Sequence, residues 1–227
     1  MQNKTALALI SATLLCLVLF EAIHPAGFLY TYFDEPEQNT STHRKHRVPL
    51  IPAPTEELID SYSESHYSVD NYINSNHPCG ITNRSSIGQT FTSNASYILT
   101  KAVFYLRTVG NPNGILEAAL YEINASSYPI GSPLVTSDSV SLSSIGSSYS
   151  LINFSFSTEY TMSAKDYAIV VFPSGNTNFD DHLVYLDVGC ETALSHEGVY
   201  VQFIDGYWGV DTLTDTIFYV YGLHVGD

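Results

Sequence analysis

Basic residues are scarce: 8 Lys and Arg stand against 23 Asp and Glu in 227 residues, a formal net charge of −15. Nucleic acid is bound through a concentrated basic face, so this deficit excludes it as a partner. Cysteine is scarcer, at three, and Cys16 sits inside an apolar stretch. No HExxH pair, P-loop, nucleophile elbow or dinucleotide glycine pattern occurs, and His196-Glu197 has no metal-ligand companion at helical spacing. A protein without a reaction centre, not an enzyme, is therefore expected. EF-hand spacing is missing as well. Low total charge, 14%, with abundant Ser, Thr and Asn fits an exported chain.

Long apolar runs are confined to one place. Ala6 to Phe20 is apolar apart from Ser11 and Thr13, with Lys4 in front. At about 15 residues it is short of the roughly 20 that span a bilayer and matches a signal-peptide core. No A-x-A cleavage site follows, and extension through Ile23 makes a signal anchor. Residues 1–27 are thus read as signal peptide or signal anchor, with residues 6–23 the only membrane contact. Residues 28–55 gather acids (Asp34, Glu35, Glu37), a basic cluster (His43 to Arg47) and prolines (Pro49, Pro52, Pro54), the composition of a flexible linker.

From residue 56 onward convincing helical segments are absent, and the chain reads as short strands separated by turns. Tyr97 to Thr108 alternates, with Ile98, Ala102, Phe104 and Leu106 on one side and Lys101, Val103, Tyr105 and Arg107 on the other. Gly110-Asn111-Pro112-Asn113-Gly114 is strong turn chemistry, and Ile115 to Ile123 resumes as strand. Leu151 to Ser157 alternates with Ile152, Phe154 and Phe156 inward, and the apolar run Tyr167 to Phe172 predicts a central strand covered on both faces. Glu56 to Tyr62 is an edge-strand candidate, while Ser63 to Pro78 reads more as loop. Further strands are expected near Leu134 to Val140, Leu183 to Val188, Gly198 to Phe203 and Ile217 to Tyr221. Nine or ten such strands make an all-β, antiparallel β-sandwich over residues 56–227.

The succession GQTF, LTKAVFYLRTVGNPNG, ALYE, INFSF, DYAIVVF and FYVYG resembles a jelly-roll module of secreted and surface proteins of bacteria, archaea and their viruses. It is similar in form to galactose-binding and carbohydrate-binding sandwich domains. The resemblance spans about Asp60 to Gly222 and rests on core and turn positions such as Gly88, Phe91, Phe104, Gly110, Gly114 and Tyr121. It implies a fold, not a reaction.

Four groups of residues offer chemistry. Cys79 and Cys190 form an even pair in an exported chain, so a disulfide is expected; His77 alone is too little for zinc. Asn83, Asn94, Asn124 and Asn153 each begin an N-x-[ST] glycosylation sequon, as does Asn39 in the linker. Asp180 and Asp181 are the first choice for a Ca²⁺ site, with solvated loop carboxylates the alternative. The stretch from Phe203 to Gly209 reads as a loop holding the only Trp: Trp208 and Tyr207 offer rings to stack on a sugar, and Asp205 offers an acceptor for its hydroxyls. The competing reading is that Trp208 caps one end of the core. Together these residues predict a surface-attached binding module for a glycan, or alternatively a structural or adhesion component of a surface layer, filament or virion that contacts another surface protein.

Overall fold

Branched and aromatic residues at every second position drive the chain into strands, because each pleat can then bury one face while the other stays in water. The computed structural model describes residues 53–73, 84–177, 179, 185–192 and 196–226. The expected N-terminal apolar segment, nearly all of the linker, and Cys79, Asn83, Asp180 and Asp181 lie outside the described residues. Residues Pro54–Asp227 form one compact unit. Fifteen strands occur among the described residues: β1 Glu56–Tyr62, β2 Val69–Ile73, β3 Arg84–Thr92, β4 Tyr97–Val109, β5 Ile115–Ile123, β6 Pro129–Thr136, β7 Val140–Ser141, β8 Ser150–Ser155, β9 Thr161–Met162, β10 Asp166–Ser174, β11 Tyr185–Glu191, β12 Tyr200–Ile204, β13 Tyr207–Asp211, β14 Asp215–Thr216 and β15 Phe218–His224.

They form two sheets, antiparallel throughout. The first runs β1-β15-β4-β11-β14, with β2 on β11 and with β8 and β9 on β4; the second runs β13-β12-β3-β10-β5-β6, with β7 on β5. Between them lies one apolar core, in which Phe91, Tyr167, Ile169 and Leu120 of the second sheet meet Phe104, Leu106, Phe154 and Phe218 of the first. Phe104 and Phe154 touch edge to face at 6.0 Å. Truncating Phe104, which is fully buried, to Ala leaves a cavity and costs about 3–5 kcal/mol. β10 is the central strand expected from Tyr167 to Phe172: it pairs with β3 and β5, and its residues 167–171 are buried on both faces.

Three local readings change. In β4 the inward residues are Tyr97 and Leu99, then Ala102, Phe104 and Leu106, so Ile98 is not on the Phe104 side. A β-bulge opposite Tyr221 and Gly222 inserts one residue into β4 and flips the alternation. Gly222 fits there because a Cβ would come within 2.8 Å of Ile98 O. The Tyr-rich stretch after Ser63, read as loop, contains β2, which pairs with β11 from Val69–Cys190 to Ile73–Leu186. Phe203 to Gly209 is a hairpin rather than a loop: Asp205 (φ 51) and Gly206 (φ 89) make a two-residue turn with both φ positive, the geometry that Asp-Gly favours.

The registers also give the domain two ends. β1 begins beside Leu223, β15 finishes beside Tyr97, and β3 and β5 both run out at this end, where β10 begins. The chain therefore enters and leaves the domain at one end. β12 runs the other way, placing the Asp205-Gly206 turn beside Arg84 at the opposite end.

Candidate functional site

The β12–β13 hairpin holds all three residues chosen from the sequence, but not as one platform. Tyr207 and Trp208 are neighbours on a strand, so their side chains leave opposite faces. Tyr207 is 78% exposed at the hairpin tip. Asp205 occupies the left-handed turn position. Trp208 is half-buried on the outer face of the second sheet, away from the main core, so it does not cap that core. Its partners are two aromatics that the sequence reading passed over. Phe203, directly across the hairpin, meets its ring edge to face at 5.1 Å, and Tyr121 of β5 does so at 5.4 Å.

The Tyr121 contact is informative about shape. Three strands, β12, β3 and β10, lie between β13 and β5. At ordinary strand spacing a flat sheet would hold the two strands roughly 19 Å apart. Rings that nonetheless meet at 5.4 Å require the sheet, at its hairpin edge, to curl over its own outer face. Beneath the rings lies a floor of small and branched residues, Ala119, Ala168, Val170 and Val201, all fully buried, with Phe172, Ile123, Val199 and Val210 packed alongside. Gly88 completes the floor on β3, where a Cβ would come within 2.7 Å of Val170 Cγ1. Burial pushes the Tyr121 hydroxyl above its ordinary titration range. What results is a partly exposed aromatic surface on an incompressible base, able to stack on a flat apolar ligand face.

The outer face of the first sheet is different in chemistry. Arg107 of β4 donates through Nε to Asp187 Oδ2 at 2.7 Å and through Nη2 to Asp70 Oδ2 at 3.1 Å, with its guanidinium 4.8 Å from the centre of the Tyr149 ring. The hydroxyls of Tyr67 and Tyr149 both donate to Asp70 Oδ1, at 2.5 and 2.6 Å. Tyr149 stacks on Tyr105 at 4.8 Å, and Tyr105 lies against Gly189, where any Cβ would be 2.7 Å from its ring. The Asp187 side chain is only 4% exposed. Burial pushes its carboxyl above the usual range, and the Arg107 hydrogen bond offsets only part of that. Burial, aided by the bond to Asp70, likewise keeps the Tyr149 hydroxyl protonated far into the alkaline range. Asp70 thus receives three donors and Arg107 bridges two carboxylates. This set locks β2, β4, β11 and the residue that precedes β8 together. Its members lie 37 and 80 positions apart in sequence, so no local spacing points to it.

A second polar knot joins the two sheets. Gln89 of β3 donates to Asp215 Oδ1 at 2.8 Å and accepts from the Thr216 N–H at 2.9 Å. His196 Nδ1 accepts the Gly198 N–H at 2.9 Å, which leaves the ring proton on Nε2, facing Asp60 Oδ1 at 3.2 Å. The His196 side chain is 9% exposed, packs against Tyr62 and Phe218, and ties β1 to the segment before β12.

The remaining candidates are placed as follows. Cys190 is a free thiol, fully buried, and burial pushes it up to about 12; the described residues contain no disulfide. No cluster of three or more His, Cys, Asp or Glu able to hold a metal occurs among the described residues. Asn94, Asn124 and Asn153 are all exposed. Asn124 uses its Oδ1 to accept the N–H groups of Ser126 and Tyr128 at 2.9 and 3.1 Å, which fixes the turn. Asn94 and Asn124 sit at the end where the chain enters the domain, and Asn153 lies midway along β8. Comparison with models of known protein families returns no match, and a search of curated proteins returns none either.

Proposed function

We propose that this chain is an exported, surface-attached, non-catalytic binding module of jelly-roll type whose ligand is carbohydrate. The observation that carries the reading is the aromatic surface of Trp208, Tyr121 and Phe203, half-exposed on a rigid floor. Sugars present flat C–H faces that stack on such rings with little loss of side-chain freedom. The turn of the hairpin, Asp205-Gly206, lies at the end of the domain opposite Glu56. The test is a glycan array probed with the full chain and with Trp208→Ala and Tyr121→Ala. Binding that disappears in both variants supports the reading; a folded protein that binds no glycan contradicts it.

A structural or adhesive role is the second reading. It draws on the same apolar surface and on Leu58, 50% exposed on the edge strand β1, since another protein surface would also bury them. Self-association that grows with concentration and is lost in Trp208→Ala, without glycan binding, would favour it.

A further inference from the structure

The charge of this domain decides which sugars the Trp208 surface accepts. Four of the eight basic residues (Lys4, Arg44, Lys45, Arg47) and four of the acidic ones (Glu21, Asp34, Glu35, Glu37) fall before residue 54, so the whole net charge of −15 belongs to the domain. There the only Lys and Arg are Arg84, Lys101, Arg107 and Lys165, against nineteen Asp and Glu. Each of the four is already engaged, and each lies over a tyrosine ring. Lys101 pairs with Glu56 at 2.8 Å above Tyr221, Arg107 bridges Asp70 and Asp187 above Tyr149, and Lys165 pairs with Glu122 near Tyr167. Arg84 turns towards β2, where it meets Asn71 Oδ1 at 3.1 Å and the Tyr72 ring; its Nε is buried and lacks a partner among the described residues, closed to any ligand.

None of these cations belongs to the outer face of the second sheet. The charges there are carboxylates. Glu117 pairs with Phe172 across β5 and β10, and so faces outward on this sheet. Asp166 begins β10 on the same face and accepts a hydrogen bond from Thr92 at 2.7 Å. An anionic ligand on this face would find carboxylates at both ends of β10 and, among the described residues, no Lys or Arg fork to receive it.

We infer that the Trp208 surface takes uncharged glycans and rejects those bearing carboxylate or sulfate groups. The inference rests on the carbohydrate reading above and adds its ligand class. Apolar ring stacking supplies the attraction, and the unopposed carboxylates supply the discrimination.

The test compares matched glycans on one array: sialylated against desialylated forms of the same chain, and sulfated against unsulfated forms, probed with the full-length protein at low and at physiological salt. The expected result is binding of the neutral member of each pair, with the anionic member weaker by on the order of tenfold or more and the gap narrowing as salt rises. Glu117→Lys is expected to raise the anionic-to-neutral ratio several-fold. Equal or preferential binding of the anionic forms overturns the inference while leaving the carbohydrate reading standing, and an unchanged ratio in Glu117→Lys overturns its electrostatic basis. Absence of binding to every glycan overturns the carbohydrate reading itself, and the inference with it.

Discussion

The two outer faces of this protein solve the same problem in opposite ways. On the first sheet, polar groups are present and saturated: Asp70 takes three donors, Arg107 spans two carboxylates, and tyrosine rings cover what remains. On the second sheet, apolar rings are present and only half covered: Tyr121 and Phe203 each meet Trp208 edge to face, and Trp208 and Tyr121 pack on a fully buried floor. A saturated polar network has little left to offer a ligand, because any newcomer must displace a hydrogen bond already made. A half-covered aromatic surface still has water to release. On the proposed function, the first face serves stability and the second serves recognition, and this contrast can be broken by perturbing each face separately.

The largest effect is expected from Arg107→Met. It strands the Asp187 carboxylate without its cation in a site where the side chain is 4% exposed, and is expected to cost about 3 kcal/mol in urea unfolding while leaving glycan affinity unchanged. If affinity falls as steeply as stability, the division of labour between the faces is wrong. Trp208→Ala is the counterpart. Loss of half-buried aromatic area is expected to cost about 2 kcal/mol of stability, while binding falls by on the order of a hundredfold.

Alkaline titration gives the next effect. Burial raises the Cys190 thiol from 9.0 to about 12. The folded chain therefore keeps a proton that the unfolded chain releases, and stability is full below about pH 9 and is lost as pH rises through that window. The expected slope from Cys190 alone is about 1.4 kcal/mol per pH unit, steepening above pH 10 where the raised hydroxyls of Tyr149 and Tyr200 add the same sense. Denaturant midpoints between neutral and strongly alkaline pH measure it, and Cys190→Ala should flatten the part that begins near pH 9. The smallest effect concerns net charge. Raising salt from low to physiological ionic strength, where the Debye length is about 8 Å, screens the excess of carboxylates and is expected to stabilise by up to about 1 kcal/mol. A fall in stability with salt would mean that the ion pairs of Lys101, Arg107 and Lys165 outweigh that repulsion.

Much of the scaffold is legible in the sequence, and the reasons are local. Alternation marks β4 and β8, the five-residue turn from Gly110 to Gly114 separates β4 from β5, and the unbroken apolar run marks β10 as central. What escaped has physical causes of three kinds. β2 carries only Val69 and Ile73 among Asp, Asn and Tyr, so its pattern is weaker than its pairing with β11. The bulge in β4 depends on Gly222, more than a hundred residues away, and so cannot be read from β4 itself. Asp205-Gly206 suits a loop and a two-residue turn equally, and only the pairing of β12 with β13 distinguishes them. The candidate site shows the same divide. Trp208 is visible as the sole Trp; Tyr121 and Phe203, which make it a surface, are brought to it by curvature across the three intervening strands and by hairpin register.

That sole Trp is also the most direct reporter. Selective excitation of Trp208 while the intact protein is titrated with neutral oligosaccharides watches the proposed surface and nothing else, because the chain has no second tryptophan. The account predicts a saturable change in Trp208 emission that Tyr121→Ala abolishes and Arg107→Met preserves. An emission spectrum that no neutral glycan alters, from a protein shown to be folded, would contradict it.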